Sequence, residues 1–454
     1  MVARTGTTAN ESLATTTITS PLGLIDFIRR VRRDQLSAIG PETYGQDLTY
    51  NRLLFLDFFL VNKPEYIEHV LLTNQANYQK SHFQRHLLGP LLGKGLLTSE
   101  GDFWRRQRRI AAPAFHGKRI AEFAATMASC ADAVLARWDS PTEPFDVAGE
   151  MMALTLDIIS RTMFSTAVSG EVAAIRRLTD IVVNLRPSIL DLAGLPEWIP
   201  RRQPRRYRAA IAAYDALVAR FLAERRSEGG DRGDLLALLL AARDPESGEG
   251  MSDRQIRDEI LTIFLAGHET TANALSWTWY LLARHPEAEA RLHEEVDRVL
   301  GDRSPTYADL AELKWTRMVI EETLRLYPPA HTIGRSAIGE DRIGGMRIPP
   351  GASVTVSIYT THRNPKLWPE PERFDPERFA PAAVAARPRF AYMPFGGGPR
   401  VCIGNSFAIA EAQVIVAMIA QRCRLRLAPG HVVEPIGLIT LRPKNGVWVT
   451  LEPR

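Results

Sequence analysis

The segment from Ser252 to Pro286 constrains this chain more than any other. Ser252 followed three residues later by Gln255 has the form of a capping box, in which the side chains and backbone at a helix start satisfy one another. No breaker follows until His285-Pro286. The spacing therefore predicts one helix of about 33 residues, about 50 Å long. A helix so far above the average length needs protein packed around it on several sides. Its centre reads Ala266-Gly267-His268-Glu269-Thr270-Thr271. A buried acid beside a hydroxyl costs free energy unless it has a partner or a task.

Around this helix the pattern is mainly α with small β-sheets. Short strands are predicted near 50–62 and 343–358, where β-branched and aromatic residues cluster beside turn signals. From Trp104 to about 225 the pattern is helical, broken by Pro187, Pro196, Pro200 and Pro204. Polar, glycine-rich turns flank a short apolar helix, Leu235 to Ala242, inside one domain. Helices are also predicted over 287–300, over 308–325 up to the stop at Tyr327-Pro328-Pro329, and from Cys402 or Ile403 to Ile419. Residues 1–40 read as a leader and opening segment. Hydrophobic residues at 45% and charged residues at 24% supply a sizeable core and exclude a disordered chain.

The remaining composition excludes other classes. A net charge of +4 is too balanced to imply nucleic acid. Three scattered cysteines make neither a disulfide scaffold nor a zinc ribbon. The polar, threonine-rich N-terminus lacks the apolar stretch of a signal peptide, and no apolar run is long enough for a transmembrane anchor. A cytoplasmic location is the expectation. His268-Glu269 opens like a zinc-protease motif, but Ala272 stands where the second histidine is needed. No phosphate-binding glycine loop and no nucleophile elbow occurs.

Cys130 and Cys423 have the surroundings of small buried hydrophobes. Cys402 does not, because it stands between a glycine-rich loop and an apolar helix, in Phe395-Gly396-Gly397-Gly398-Pro399-Arg400-Val401-Cys402-Ile403-Gly404. Amides and the positive end of a helix dipole there favour a thiolate. Gly404 lets a flat ligand approach the backbone, and Arg400 can pair with an anion on it. These ten residues, 395–404, resemble the haem-binding signature of the cytochrome P450 family, F-x-x-G-x-R-x-C-x-G, at every fixed position.

The resemblance implies one domain over 1–454 with the cytochrome P450 fold, its long central helix lying over haem b (iron protoporphyrin IX). Cys402 is then the axial thiolate ligand of the haem iron, shielded by Phe395, and Arg400 binds a haem propionate. The central helix is similar to the family's oxygen-activation motif A-G-x-[DE]-T. Ala266 and Gly267 then leave a groove for dioxygen, Thr270 hydrogen-bonds there and Glu269 relays protons. Trp104 and Arg108 resemble the family's W-x-x-x-R pair on the propionates, and Arg335 falls where relatives carry another propionate-binding arginine. Glu322 and Arg325 match E-x-x-R and Arg378 the following P-x-R-F, which implies a buried structural network. His331 reads as a pocket residue or as a surface histidine.

The AGHETT, EETLRLYPP and PERF pieces resemble the fatty-acid and microsomal branch, here in a soluble bacterial member. The implied activity is a monooxygenase that inserts one atom of O2 into a lipophilic terpene, fatty acid or steroid-like substrate and acts as a monomer. Electrons come from a separate ferredoxin or flavodoxin with its reductase, since about fifty residues follow Cys402. Arg105, Arg106, Arg108, Arg109, Lys118 and Arg119 form a basic concentration suited to an acidic partner. Pocket lining is expected from Phe83 to Leu97, Ile263 to Ala266, Ala330 to Ile333 and Ile436 to Thr440. Two alternatives stay open: a peroxide-using or rearranging haem-thiolate enzyme, and a non-catalytic haem-binding or sensor protein.

Overall fold

In a computed structural model the protein is described over residues 13–18, 21–53, 56–138, 143–165, 181, 204–228 and 233–454. The proline breaks at Pro187, Pro196 and Pro200 and the first twelve residues lie outside the described residues.

The central helix runs Asp253–Arg284, 32 residues, with both halves of the Ser252–Gln255 capping box formed. His285 caps its end and Pro286 opens the next helix, Pro286–Leu300. The short apolar helix forms as Leu235–Ala241, capped by the Asp234 carboxylate. Two boundaries differ from expectation. The helix expected over 308–325 divides into a 3-10 turn, Tyr307–Ala311, and a helix, Lys314–Leu326, because Leu313 leaves helical geometry with ψ at 59°. The helix after the cysteine starts only at Asn405 and runs to Arg422. The Cys402 amide is already committed to the Phe395 carbonyl at 2.9 Å, which holds that residue in the loop.

Most of the strand content lies in one six-stranded sheet, ordered Leu13–Ile18, Leu48–Leu53, Leu56–Val61, Ser353–Ser357, Thr332–Ala337, Tyr78–Lys80. Its first strand falls where a loose leader was expected and pairs parallel with Leu48–Leu53. The helix Pro21–Arg33 follows it. At the opposite edge Tyr78–Lys80 pairs antiparallel with Thr332–Ala337, which sets Lys80 directly across from Arg335. A smaller hairpin, Pro435–Gly437 with Leu441–Pro443, carries Leu438 to Thr440 at its tip.

Three apolar clusters organise these pieces. The largest joins the helices Gly117–Leu135 and Val147–Phe164, the second half of the central helix, and the helices Lys314–Leu326 and Asn405–Arg422. A second surrounds the first half of the central helix and draws in Leu96, Leu97, Ile403 and Ile439. The third fills the space beneath the large sheet. The helix centre at 266–271 therefore lies between two cores, with the cysteine loop brought against it through Ile403.

Candidate active site

Cys402 sits on a turn drawn tight by its glycines. Gly396 and Gly398 hold φ of +76° and +66°, conformations that side-chain-bearing residues rarely adopt. A Cβ on Gly398 would also lie 1.9 Å from the Leu71 carbonyl oxygen. Cys402 exposes part of its surface although protein encloses it, so the surface it exposes belongs to an internal cleft. Burial pushes its thiol up, against the Gly404 amide hydrogen bond and the positive charge of Arg108, both of which favour the thiolate. The helix begins three residues further on, at Asn405, and without a bound metal burial outweighs both. Coordination to a metal ion would reverse that balance. Cys130 and Cys423 are buried, and desolvation pushes both thiols up to about 12.

The central helix also exposes surface inside the protein. Ala266 is exposed and Gly267 and Thr270 are half-buried, within a helix whose other central residues are mostly buried. An exposed alanine in that position must border internal space. The missing side chain of Gly267 does not: a Cβ there would meet Ile159 at 3.2 Å, so this glycine admits the helix Val147–Phe164 and Ala266 leaves the room. The Thr270 hydroxyl donates to the Ala266 carbonyl at 2.6 Å. Glu269 is 5% exposed and accepts from the Thr440 hydroxyl at 2.5 Å, and Thr440 accepts from Asn273 at 3.3 Å. His268 points away: its Nδ1 bonds the Phe264 carbonyl at 2.8 Å, and burial pushes it down to about 4, so it is neutral.

Beside the cysteine loop lies a cluster of cations. Arg335 and Lys80, cross-strand neighbours, are 7% and 8% exposed. Like charges placed directly opposite destabilise a sheet. Arg400 stacks 3.8 Å over the Trp104 ring, and Arg108 lies on the same ring at 5.9 Å. The carboxylate among them is Glu100, which is paired with Arg400 and accepts the Lys80 backbone amide at 2.5 Å. Burial and neighbouring arginines push Lys80 well down and Arg335 to about 10. This corner holds more positive charge than its one acid balances.

The profile of the family described as Cytochrome P450 matches residues 42–448. The chain belongs to the cytochrome P450 family. Cyclooctatin synthase of Streptomyces melanosporofaciens is 42% identical over 86% of this chain and 85% of its own length. The cyclooctat-9-en-7-ol 5-monooxygenase of the same organism is 39% identical, over 82% and 81%. The crystal structure of the cytochrome P450DA heme domain superposes with a TM-score of 0.81 at 30% identity, covering 96% of this chain and 94% of that one.

In this cytochrome P450 the E-x-x-R pair is wholly buried. Arg325 donates to both Glu322 oxygens, at 2.7 and 2.8 Å, and to the backbone carbonyls of His362, Pro371 and Arg373 at 2.7–3.0 Å. Arg378 reaches Glu322 at 3.6 Å and the Pro369 and Glu370 carbonyls at 2.7 and 3.0 Å. The basic concentration does not survive as a bare positive surface. Arg106 and Arg109 are both paired with Asp244 and reach Glu249 and Glu246, Arg105 meets Asp102 and Arg119 meets Glu122. His331 is 1% exposed, with Nε2 3.0 Å from the Leu438 carbonyl, which excludes the surface reading.

Three residues of the site escaped sequence reasoning. Lys80 and Glu100 carry no motif: strand register sets Lys80 across from Arg335, and Glu100, capping the helix Gly101–Ala111, reaches Arg400 and the Lys80 amide by side-chain contacts. Glu411, about two helical turns beyond Gly404, is 1% exposed and bonded to Thr271 of the central helix; burial pushes it up to about 8. Among the described residues no group of three or more histidine, cysteine and acidic side chains could hold a metal ion. No described helix is long and apolar enough to cross a membrane.

Proposed function

We propose that this chain is a haem-thiolate monooxygenase that inserts one atom of O2 into a lipophilic, terpenoid-type substrate, with haem b as its resident cofactor. The observation that carries this reading is that Cys402, on its loop, and Ala266, on the central helix, both expose surface although protein encloses them, beside a surplus of buried cations. Those features fit a flat macrocycle with two carboxylates. Gly404 offers its backbone there, since a Cβ on it would meet only Phe115, at 3.9 Å. Arg335, Lys80, Arg400 and Arg108, with Trp104 between the last two, match the carboxylates. When bound, haem supplies thiolate-ligated iron, which activates dioxygen with two electrons and two protons.

The chain's own residues orient and deliver. Cys402 Sγ would hold the metal, with Phe395 packed at the loop start. With its proton donated to the Ala266 carbonyl, the Thr270 hydroxyl offers lone pairs toward the cleft and so acts as an acceptor. Glu269 holds its carboxyl beside the cleft, tied through Thr440 to Asn273, and passes protons inward. In net terms RH, O2, two electrons and two protons yield ROH and water. The buried Glu322–Arg325–Arg378 network fixes the segment behind the cysteine and takes no part in the chemistry.

The terpenoid reading rests on the relatives: one is named cyclooctat-9-en-7-ol 5-monooxygenase and another, from Streptomyces avermitilis, pentalenene oxygenase. Electrons come from a separate ferredoxin or flavodoxin with its reductase, and the site of action is cytoplasmic. Docking relies on shape as well as charge, because acids already neutralise most of the arginines following Gly101.

Cys402→Ser in the haem-loaded protein tests the assignment. The variant should lose the reduced carbon-monoxide absorption band that names the family while keeping its fold by circular dichroism. A retained band overturns the ligand. Turnover of terpenoids driven by reduced nicotinamide through surrogate redox proteins should exceed turnover with peroxide alone; the reverse order favours a peroxide-using enzyme.

A further inference from the structure

Glu100 stands at the start of the helix Gly101–Ala111, yet its side chain caps none of that helix's amides. It turns instead to the cation cluster. One carboxylate oxygen accepts the Lys80 amide at 2.5 Å and the other pairs with Arg400. The second terminal nitrogen of Arg400 donates to the Ser99 carbonyl at 2.8 Å, so both ends of that guanidinium are committed to residues 99–100. Among the described residues neither Lys80 nor Arg335 forms an ion pair, and the Glu100 charge holds both in their positive form against burial and neighbouring arginines.

This arrangement sits beside the cysteine. Arg400 is two residues before Cys402, and Arg108, which shares the Trp104 ring with Arg400, lies near enough to Cys402 for its charge to favour the thiolate. A macrocycle held by Cys402 brings two carboxylates into this corner, where Glu100 already places the same charge on the same guanidinium. Like charges a few ångströms apart repel, most of all where water is scarce. The acid is the partner that can give way: its side chain is 28% exposed against 13% for Arg400.

We infer that Glu100 is a placeholder for a haem carboxylate, pairing with Arg400 in the haem-free chain and yielding that guanidinium when haem binds, while it keeps its hold on the Lys80 amide. This rests on the haem-thiolate reading and gives Glu100 a role in loading rather than in the reaction. The exchange is one ion pair for another, with no bond made or broken. It keeps four crowded cations tolerable before loading, and it makes haem binding weaker than those cations alone would allow.

Glu100→Gln keeps the shape and an acceptor for the Lys80 amide and removes the charge. Loaded with haem, the variant should release it to apomyoglobin about three- to ten-fold more slowly than the wild type, because a like charge beside the haem carboxylates is gone. With haem dimethyl ester, whose carboxylates are blocked, the two proteins should release at the same rate. Loss of a merely structural contact would act the other way and speed the release of both pigments. Equal or faster release of haem overturns the placeholder, and so does a slowing that persists with the ester. The wild type gives a second reading that needs no variant. Carbodiimide coupling of an amine to Glu100, located by peptide mass spectrometry, should increase on haem loading as the side chain leaves Arg400; equal or lower coupling overturns the exchange. A wild type with no reduced carbon-monoxide band strikes the haem-thiolate reading instead. Inorganic pyrophosphate added to the haem-free proteins then still reports the corner, raising the Tm of Glu100→Gln more than that of the wild type, and equal rises overturn the placeholder.

Discussion

Two buried charge clusters flank the cysteine loop, and they are built on opposite plans. At Glu322–Arg325 every strong donor and acceptor has a protein partner, and the arginine clasps three backbone carbonyls. At Lys80–Arg335–Arg400 the cations crowd one another with Glu100 as the acid between them. The first cluster is complete within the polypeptide and holds the fold. The second is complete only with an added anion, and that deficit marks it as a binding site. Equal burial thus carries different meaning according to whether the charges balance.

Removing one charge from each cluster separates the two plans most sharply. Arg325→Ala strands Glu322 at zero exposure and should lower stability by about 3–5 kcal/mol, read as a shifted urea midpoint. A shift no larger than that of an exposed arginine would place this node among ordinary surface pairs. Lys80→Met should act in the other direction on the haem-free chain, whose Tm stays level or rises as a like-charge neighbour of Arg335 is lost. The same variant should hold haem about ten- to a hundred-fold more weakly, measured by transfer to apomyoglobin. Unchanged retention would remove Lys80 from the carboxylate cradle.

A smaller effect concerns pH. Glu411 titrates at 4.5 when exposed and at about 8 in the fold. The folded chain keeps a proton that the unfolded chain loses between those values, so the stabilisation is fully present below 4.5 and is lost as pH rises through about 8. Glu259 acts in the same sense. The Tm should therefore fall from mildly acid to mildly alkaline buffer, and Glu411→Gln should flatten the fall. An identical slope in that variant would assign the dependence to other groups.

Features written into contiguous residues were legible in the sequence. The Ser252–Gln255 box gave the central helix its start, the ten residues 395–404 gave the cysteine its setting, and Glu322 with Arg325 needed only one helical turn. What escaped depends on partners far apart in the chain. Lys80 meets Arg335 through strand register alone, and Asp244, Glu246 and Glu249 neutralise arginines more than a hundred residues earlier. The late helix start at Asn405 was hidden because an amide-to-carbonyl bond across the loop, not a breaker residue, decides it. Gly267 was read as room for a ligand, whereas the neighbour it admits, Ile159, lies on another helix.

The strand Tyr78–Lys80 is three residues long and forms the rim of the large sheet, with one of its rungs a pair of like charges. Like charges placed opposite each other weaken such a rim until a counter-charge is supplied. Filling that corner with an anion should tighten the rim, so amide hydrogen exchange at Tyr78–Lys80 is expected to slow when haem is bound.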